Sequence, residues 1–114
     1  MHIEQLIQSM KKRPHMYVDE VRLDYIFYVI MGNCGANHHY ETDELDRYFC
    51  VWFGKWLEKW IVDNIDPDYQ MSSFMWYKTI EEIVPAEENS VEMFFGLCDM
   101  FFEDYKNSKG YFAE

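Results

Sequence analysis

No apolar run in this chain approaches the roughly 18–20 uninterrupted residues that a membrane-spanning helix needs, so a helical membrane protein is not expected. Basic residues are scarce: 10 Lys and Arg stand against 21 Asp and Glu, for a formal net charge of −11. A field of that sign repels phosphate backbones and anionic lipid, so neither nucleic acid nor a membrane surface is expected as a partner. Cysteine is limited to Cys34, Cys50 and Cys98, an odd number without a close-spaced pair. That is not the pattern of a disulfide scaffold, and it fits a reducing compartment. At the N-terminus the basic residues follow the apolar ones, and no apolar core segment of about 7–15 residues is present, which is not the order of a secretory signal. A cytoplasmic location is the expectation. With 5 Gly there is no glycine-rich phosphate loop, and no HExxH, P-loop or GxSxG pattern occurs. No catalytic residue, metal or cofactor is expected, and the chain reads as a binding protein rather than an enzyme.

What the chain has in abundance is ring and acid. Apolar residues make up 49% and aromatics 19%, including 9 Phe, 9 Tyr and 4 Trp, which is far above what a disordered chain carries. A length of 114 residues suits one core rather than two, so residues 1–114 are expected to form a single domain. The acid is unevenly spread: residues 60–114 hold 12 acids and 3 bases, whereas residues 1–59 hold 9 and 7.

Hydrophobic spacing predicts an all-α, compact single-domain bundle of about five helices. Ile3, Leu6, Ile7 and Met10 mark a first helix that Pro14 stops, and His15 to Val18 reads as a linker. Asp19 or Asp24 can cap a second helix that ends near Gly32, with Val21, Tyr25, Tyr28, Val29 and Gly32 along one face. A polar loop from Gly32 to His39 follows. Thr42 or Asp43 can cap a third and longest helix over about Asp43 to Ile65, with a stripe of Leu45, Phe49, Trp52, Trp56 and Trp60 and a second row of Val51, Phe53, Leu57 and Ile61. Asp66-Pro67-Asp68 breaks it. Ser72 or Ser73 can cap a fourth helix over Phe74 to Val84, which Pro85 ends. Asn89 or Ser90 can cap a fifth from Val91, nearly buried, which Gly110 ends.

The segment Lys11-Lys12-Arg13-Pro14-His15-Met16-Tyr17 is similar to the RKRPGMY stretch near the start of type II topoisomerase ATPase domains. Their acidic catalytic helix and glycine-rich nucleotide loops have no counterpart here, so ATP binding is not expected. The order of a short first helix, an RPxMY turn, a third helix with spaced tryptophans and a C-terminal helix rich in Phe, Leu and acids resembles small bacterial immunity proteins. Those proteins are encoded beside contact-dependent growth-inhibition and other polymorphic toxins. The resemblance implies a stoichiometric toxin inhibitor with no catalytic residues. Within the turn itself, Arg13 and Pro14 read as a helix stop and Met16 and Tyr17 as core plugs.

The acids give an independent reason to expect a basic partner. Asp63, Asp66 and Asp68 gather at a helix end, and Glu81, Glu82, Glu87, Glu88 and Glu92 gather around Pro85; such clusters favour a partner whose own surface is positive, which among the toxins the resemblance implies points to a basic nuclease domain. Isolated surface acids usually only solvate a helix, so the cluster is the signal. Tyr69, Trp76 and Tyr77, interleaved with these acids, are candidate anchors because such rings dominate interface hot spots. Rings at helical spacing also commonly serve the core. The alternative is a non-enzymatic adaptor or a chain that pairs with a second copy of itself. Cys34, His38 and His39 lie close in sequence, but their spacing is not a familiar zinc pattern, and a polar loop is the reading there.

Overall fold

The structure is a computed structural model that describes residues 1–36, 43–84 and 87–108. Among the described residues there are five α-helices: α1 (Ile3–Lys12), α2 (Leu23–Ala36), α3 (Glu44–Asn64), α4 (Trp76–Ile83) and α5 (Glu87–Ser108), with a 3₁₀ turn at Pro14–Met16. The all-α bundle is as expected from the sequence. No helix among the described residues is long and apolar enough to cross a membrane.

The sequence places α1 accurately. Its four apolar residues Ile3, Leu6, Ile7 and Met10 are all buried, its other face is polar, and it ends ahead of Pro14, which has no amide to continue the ladder. Lys11 and Gln8 on its outer face both bond the Asp99 carboxylate of α5 at 2.9 Å. Partial desolvation pushes Asp99 up, but these hydrogen bonds and the Lys11 charge bring it below its ordinary value.

In α2 the phase differs from the expectation. Leu23, Ile26, Phe27, Ile30 and Cys34 face the core, whereas Tyr25 and Tyr28 are exposed. Aliphatic side chains lose nothing on burial, while a phenol keeps its hydroxyl in water. Gly32 does not stop the helix, which runs on to Ala36. Neither Asp19 nor Asp24 is its N-cap; Asp24 lies inside the first turn, where its charge suits the helix dipole.

Asp43 does cap α3, its carboxylate accepting the Asp46 amide at 2.9 Å. The α3 core face is Phe49, Phe53, Trp56, Leu57 and Ile61, which takes most of the expected second row; Leu45, Trp52 and Trp60 are only half-buried. With 22 residues against 21, α5 is longer than α3. It begins at Glu87, four residues before Val91, so Asn89 and Ser90 lie inside it and are not caps. The fourth helix begins at Trp76 rather than Phe74, because the Ser73 hydroxyl accepts the Met75 amide at 3.1 Å and turns the chain there. Pro85, Gly110, His38, His39 and Thr42 lie outside the described residues.

Helices α3 and α5 meet through rings. Phe53 lies against Phe49 (4.7 Å between centroids), Trp76 (5.2 Å), Phe101 (5.6 Å) and Phe94 (5.9 Å). Trp76 stacks on Phe94 at 4.8 Å with planes 3° apart. The Trp56 indole, buried against this cluster, donates to the Asp104 carboxylate at 2.9 Å, so its polar handle is satisfied.

The cysteines require a correction. Cys34 and Cys50 form a disulfide, joining the last turn of α2 to α3 with Cα atoms 6.0 Å apart. Cys98 is a buried free thiol whose pKa burial pushes well above its ordinary value.

Candidate functional site

The segment between α3 and α4 takes its shape from three fixed points. Ile61 O accepts the amides of both Ile65 and Asp66, closing α3, and Asp66 O accepts the Tyr69 amide to make the next turn. The Glu58 carboxylate then accepts the Met71 amide at 2.8 Å, pinning the chain back onto α3. At the far end Trp76 plunges into the core, 3% exposed. Between Met71 and Trp76 the chain bows outward, and Phe74 stands 85% exposed.

Beneath that bow lies a groove of about 730 Å³ between α2, α3 and residues 71–76. Phe27, Tyr28 and Met31 of α2 and Cys50, Val51 and Gly54 of α3 line it, together with the charged Lys55 and Glu58 and the Met71–Trp76 segment. Tyr28 and Val51 are about half exposed. At Gly54 a Cβ would meet nothing within 4 Å, so the missing side chain leaves open space along the groove. An apolar ring held proud beside an apolar groove is the surface that single exposed hydrophobics do not make.

The proposed contact residues fall into separate places. Asp66, Asp68, Tyr69 and Glu82 come together: the Asp66 carboxylate accepts the Asp68 amide at 3.0 Å, and the Tyr69 hydroxyl donates to Glu82 at 3.4 Å. Desolvation first, then the Glu82 charge, raises the Tyr69 pKa. This acidic ridge begins the same segment that ends at Phe74. Tyr77 and Glu81 share a different face of α4, beside α2, where the Tyr77 ring lies 6.2 Å from that of Tyr28. Partial desolvation, a hydrogen bond with Tyr28 and the charges of Asp24 and Glu81 raise the Tyr77 pKa, keeping the phenol protonated. Asp63 lies elsewhere, paired with Lys59 at 2.6 Å on the rim of a cleft of about 370 Å³ that Trp56, Trp60, Asn64 and Asp104 also line. Trp76 is a correction: it is a core residue, 3% exposed and packed against Phe27, Phe53 and Phe94, rather than an exposed anchor. Glu87 and Glu88 open α5, and their side chains lie outside the described residues.

Hydrophobic spacing does not mark Phe74, Tyr28 or Val51 as surface residues. A signal existed for one of them: Ser72-Ser73 ahead of Phe74 is a turn former, and a ring beside it need not join the helix. The RPxMY turn also differs from expectation, since Tyr17 is half-buried but Met16 is 71% exposed and plugs nothing.

A second constellation lies at the start of α1. Asp46 is 3% exposed and accepts the Ile3 amide through Oδ1 at 3.1 Å, capping α1 from another helix. His2 Nδ1 approaches Asp43 Oδ2 at 3.4 Å and Asp46 Oδ2 at 3.5 Å. Nearby, desolvation and a hydrogen bond with Glu44, with the charges of Glu44 and Asp43, push the Tyr105 phenol up to about 12.

The chain matches no family model, no curated protein and no solved structure.

Proposed function

We propose that this chain works by binding another protein, and that it is an immunity protein which neutralises a basic toxin by stoichiometric occlusion. Phe74 carries the reading: a ring 85% exposed, on a short segment tied at both ends, over an apolar groove. Such a ring loses little conformational freedom on docking, because its backbone is already held, and rigid aromatic anchors dominate interface energetics. The acidic ridge of Asp66, Asp68 and Glu82 adjoins the same segment, and a net charge of −11 supplies long-range attraction for a positive partner. The likeness of the helix order and RPxMY turn to immunity proteins of polymorphic toxin systems favours a toxin inhibitor over a generic binder. On this reading the chain is not an enzyme and needs no cofactor.

Co-expression with the toxin of the adjacent gene tests it. The wild-type chain should protect cells, and Phe74→Asp should abolish protection while leaving the melting temperature unchanged, since the residue contributes nothing to the core. A truncated hot spot of this type weakens binding by at least about 2 kcal/mol, roughly 30-fold. Protection that survives both Phe74→Asp and joint charge reversal at Asp66, Asp68 and Glu82 would sink the reading. Sedimentation of the chain alone supplies the rival outcome: a salt-insensitive dimer lost with Phe74→Asp assigns the groove to a second copy instead.

A further inference from the structure

We propose that His2, Asp43 and Asp46 bind a divalent cation of the zinc class where the start of α1 meets the start of α3. The three ligand atoms, His2 Nδ1, Asp43 Oδ2 and Asp46 Oδ2, all lie within 4.8 Å of one another. The two nitrogen to oxygen separations are 3.4 and 3.5 Å. Charge-assisted N–H···O contacts close to about 2.7–2.9 Å, so these contacts are longer than hydrogen bonding would make them. Both have the length of a tetrahedral edge: zinc bonds of about 2.0–2.2 Å place adjacent ligands roughly 3.4 Å apart. Octahedral magnesium, with bonds of about 2.0–2.1 Å, would draw its ligands to roughly 2.9 Å, and calcium takes oxygen ligands rather than imidazole.

The backbone sets the carboxylates for this role. Asp43 uses Oδ1 to accept the Asp46 amide at 2.9 Å, and Asp46 uses Oδ1 to accept the Ile3 amide at 3.1 Å. Each therefore turns Oδ2 toward the imidazole. Amide bonds of this kind orient metal ligands and limit their freedom. Asp46 is buried, and a cation would offset the cost of holding a carboxylate out of water. Binding is plain coordination: neutral imidazole and two carboxylates each donate a lone pair, and any proton on Nδ1 is released to solvent. Three protein ligands leave the fourth position to water. The ion would cross-link two helix starts that lie more than 40 residues apart in sequence.

The test uses the full, tag-free chain with its disulfide intact, stripped with chelator and then titrated with zinc chloride. Calorimetry should give one equivalent, and the melting temperature should rise with zinc but not with calcium or magnesium. His2→Ala removes a half-exposed side chain, and Asp43→Asn keeps a good helix cap, so both variants should fold. Each should weaken zinc binding by more than about 100-fold, beyond what disturbing an outer-shell contact does. Zinc-edge absorption spectra should show nitrogen and oxygen and no sulfur. The proposal is overturned if zinc gives no specific rise, if both variants bind as the wild type does, or if sulfur enters the shell and assigns the metal to Cys98.

Discussion

Cys34 and Cys50 are separated by 16 positions, and oxidation joins them across α2 and α3. Their bond lies beside the groove, since Cys50 lines it. A cross-link mainly restricts the unfolded chain, and for a loop of this length the effect is about 3 kcal/mol. Urea unfolding with and without reductant should show a fall in stability of that order, and Cys34→Ser with Cys50→Ser should reproduce it without reductant. An unchanged midpoint would mean that the two sulfurs contribute nothing by being joined. Cys98 does not complicate the measurement, because its buried thiol has a raised pKa and stays largely protonated and unreactive. None of this was legible in a cysteine count. Pairing depends on where the last turn of α2 meets α3, which is a tertiary fact, and three cysteines read alone gave the opposite expectation.

Helices differ in how much of their placement the chain itself declares. In α1, four apolar residues share one face and polar residues cover the rest, so period and phase are both fixed. In α2 and α3 large apolar residues occur on nearly every face, and the period survives while the phase does not. Tyr25 and Tyr28 could then be exchanged for Ile26 and Ile30 as the core face, and the tryptophan stripe for the row of Phe53, Leu57 and Ile61. The candidate surface was less legible still, because Phe74 reads as the first residue of a helix until Glu58 and Ser73 are seen holding the chain out of one. Gly54 connects this element-scale packing to function. Glycine inside a helix costs about 1 kcal/mol relative to alanine, and no neighbour lies within 4 Å of the missing Cβ. Gly54→Ala should therefore raise stability by about 0.5–1 kcal/mol while narrowing the groove. The expected pairing is a higher urea midpoint with weaker toxin binding; a stabilised variant that binds as tightly as the wild type would show that the partner does not enter the groove at that point.

At the scale of the whole molecule, one quantity acts on folding and on binding with opposite sign. A net charge of −11 on a body with principal extents of 37 × 36 × 22 Å places acids closer together than they lie in the open chain. Self-repulsion therefore opposes folding, and it weakens as salt screens it. The same field attracts a basic partner, and that attraction also weakens with salt. Raising sodium chloride from about 0.02 M to about 0.3 M, which shortens the Debye length from roughly 20 Å to 6 Å, should raise the melting temperature of the free chain. Over the same interval the association rate with the toxin should fall by about tenfold or more, with the dissociation rate changing far less. Exposed pairs such as Lys59–Asp63 are lost over this range too, but each contributes well under 1 kcal/mol and does not reverse the trend. If salt lowered the melting temperature, the ion pairs would outweigh the net charge. A toxin association rate indifferent to salt would assign recognition to the apolar groove alone, with the acidic ridge as a solvated edge.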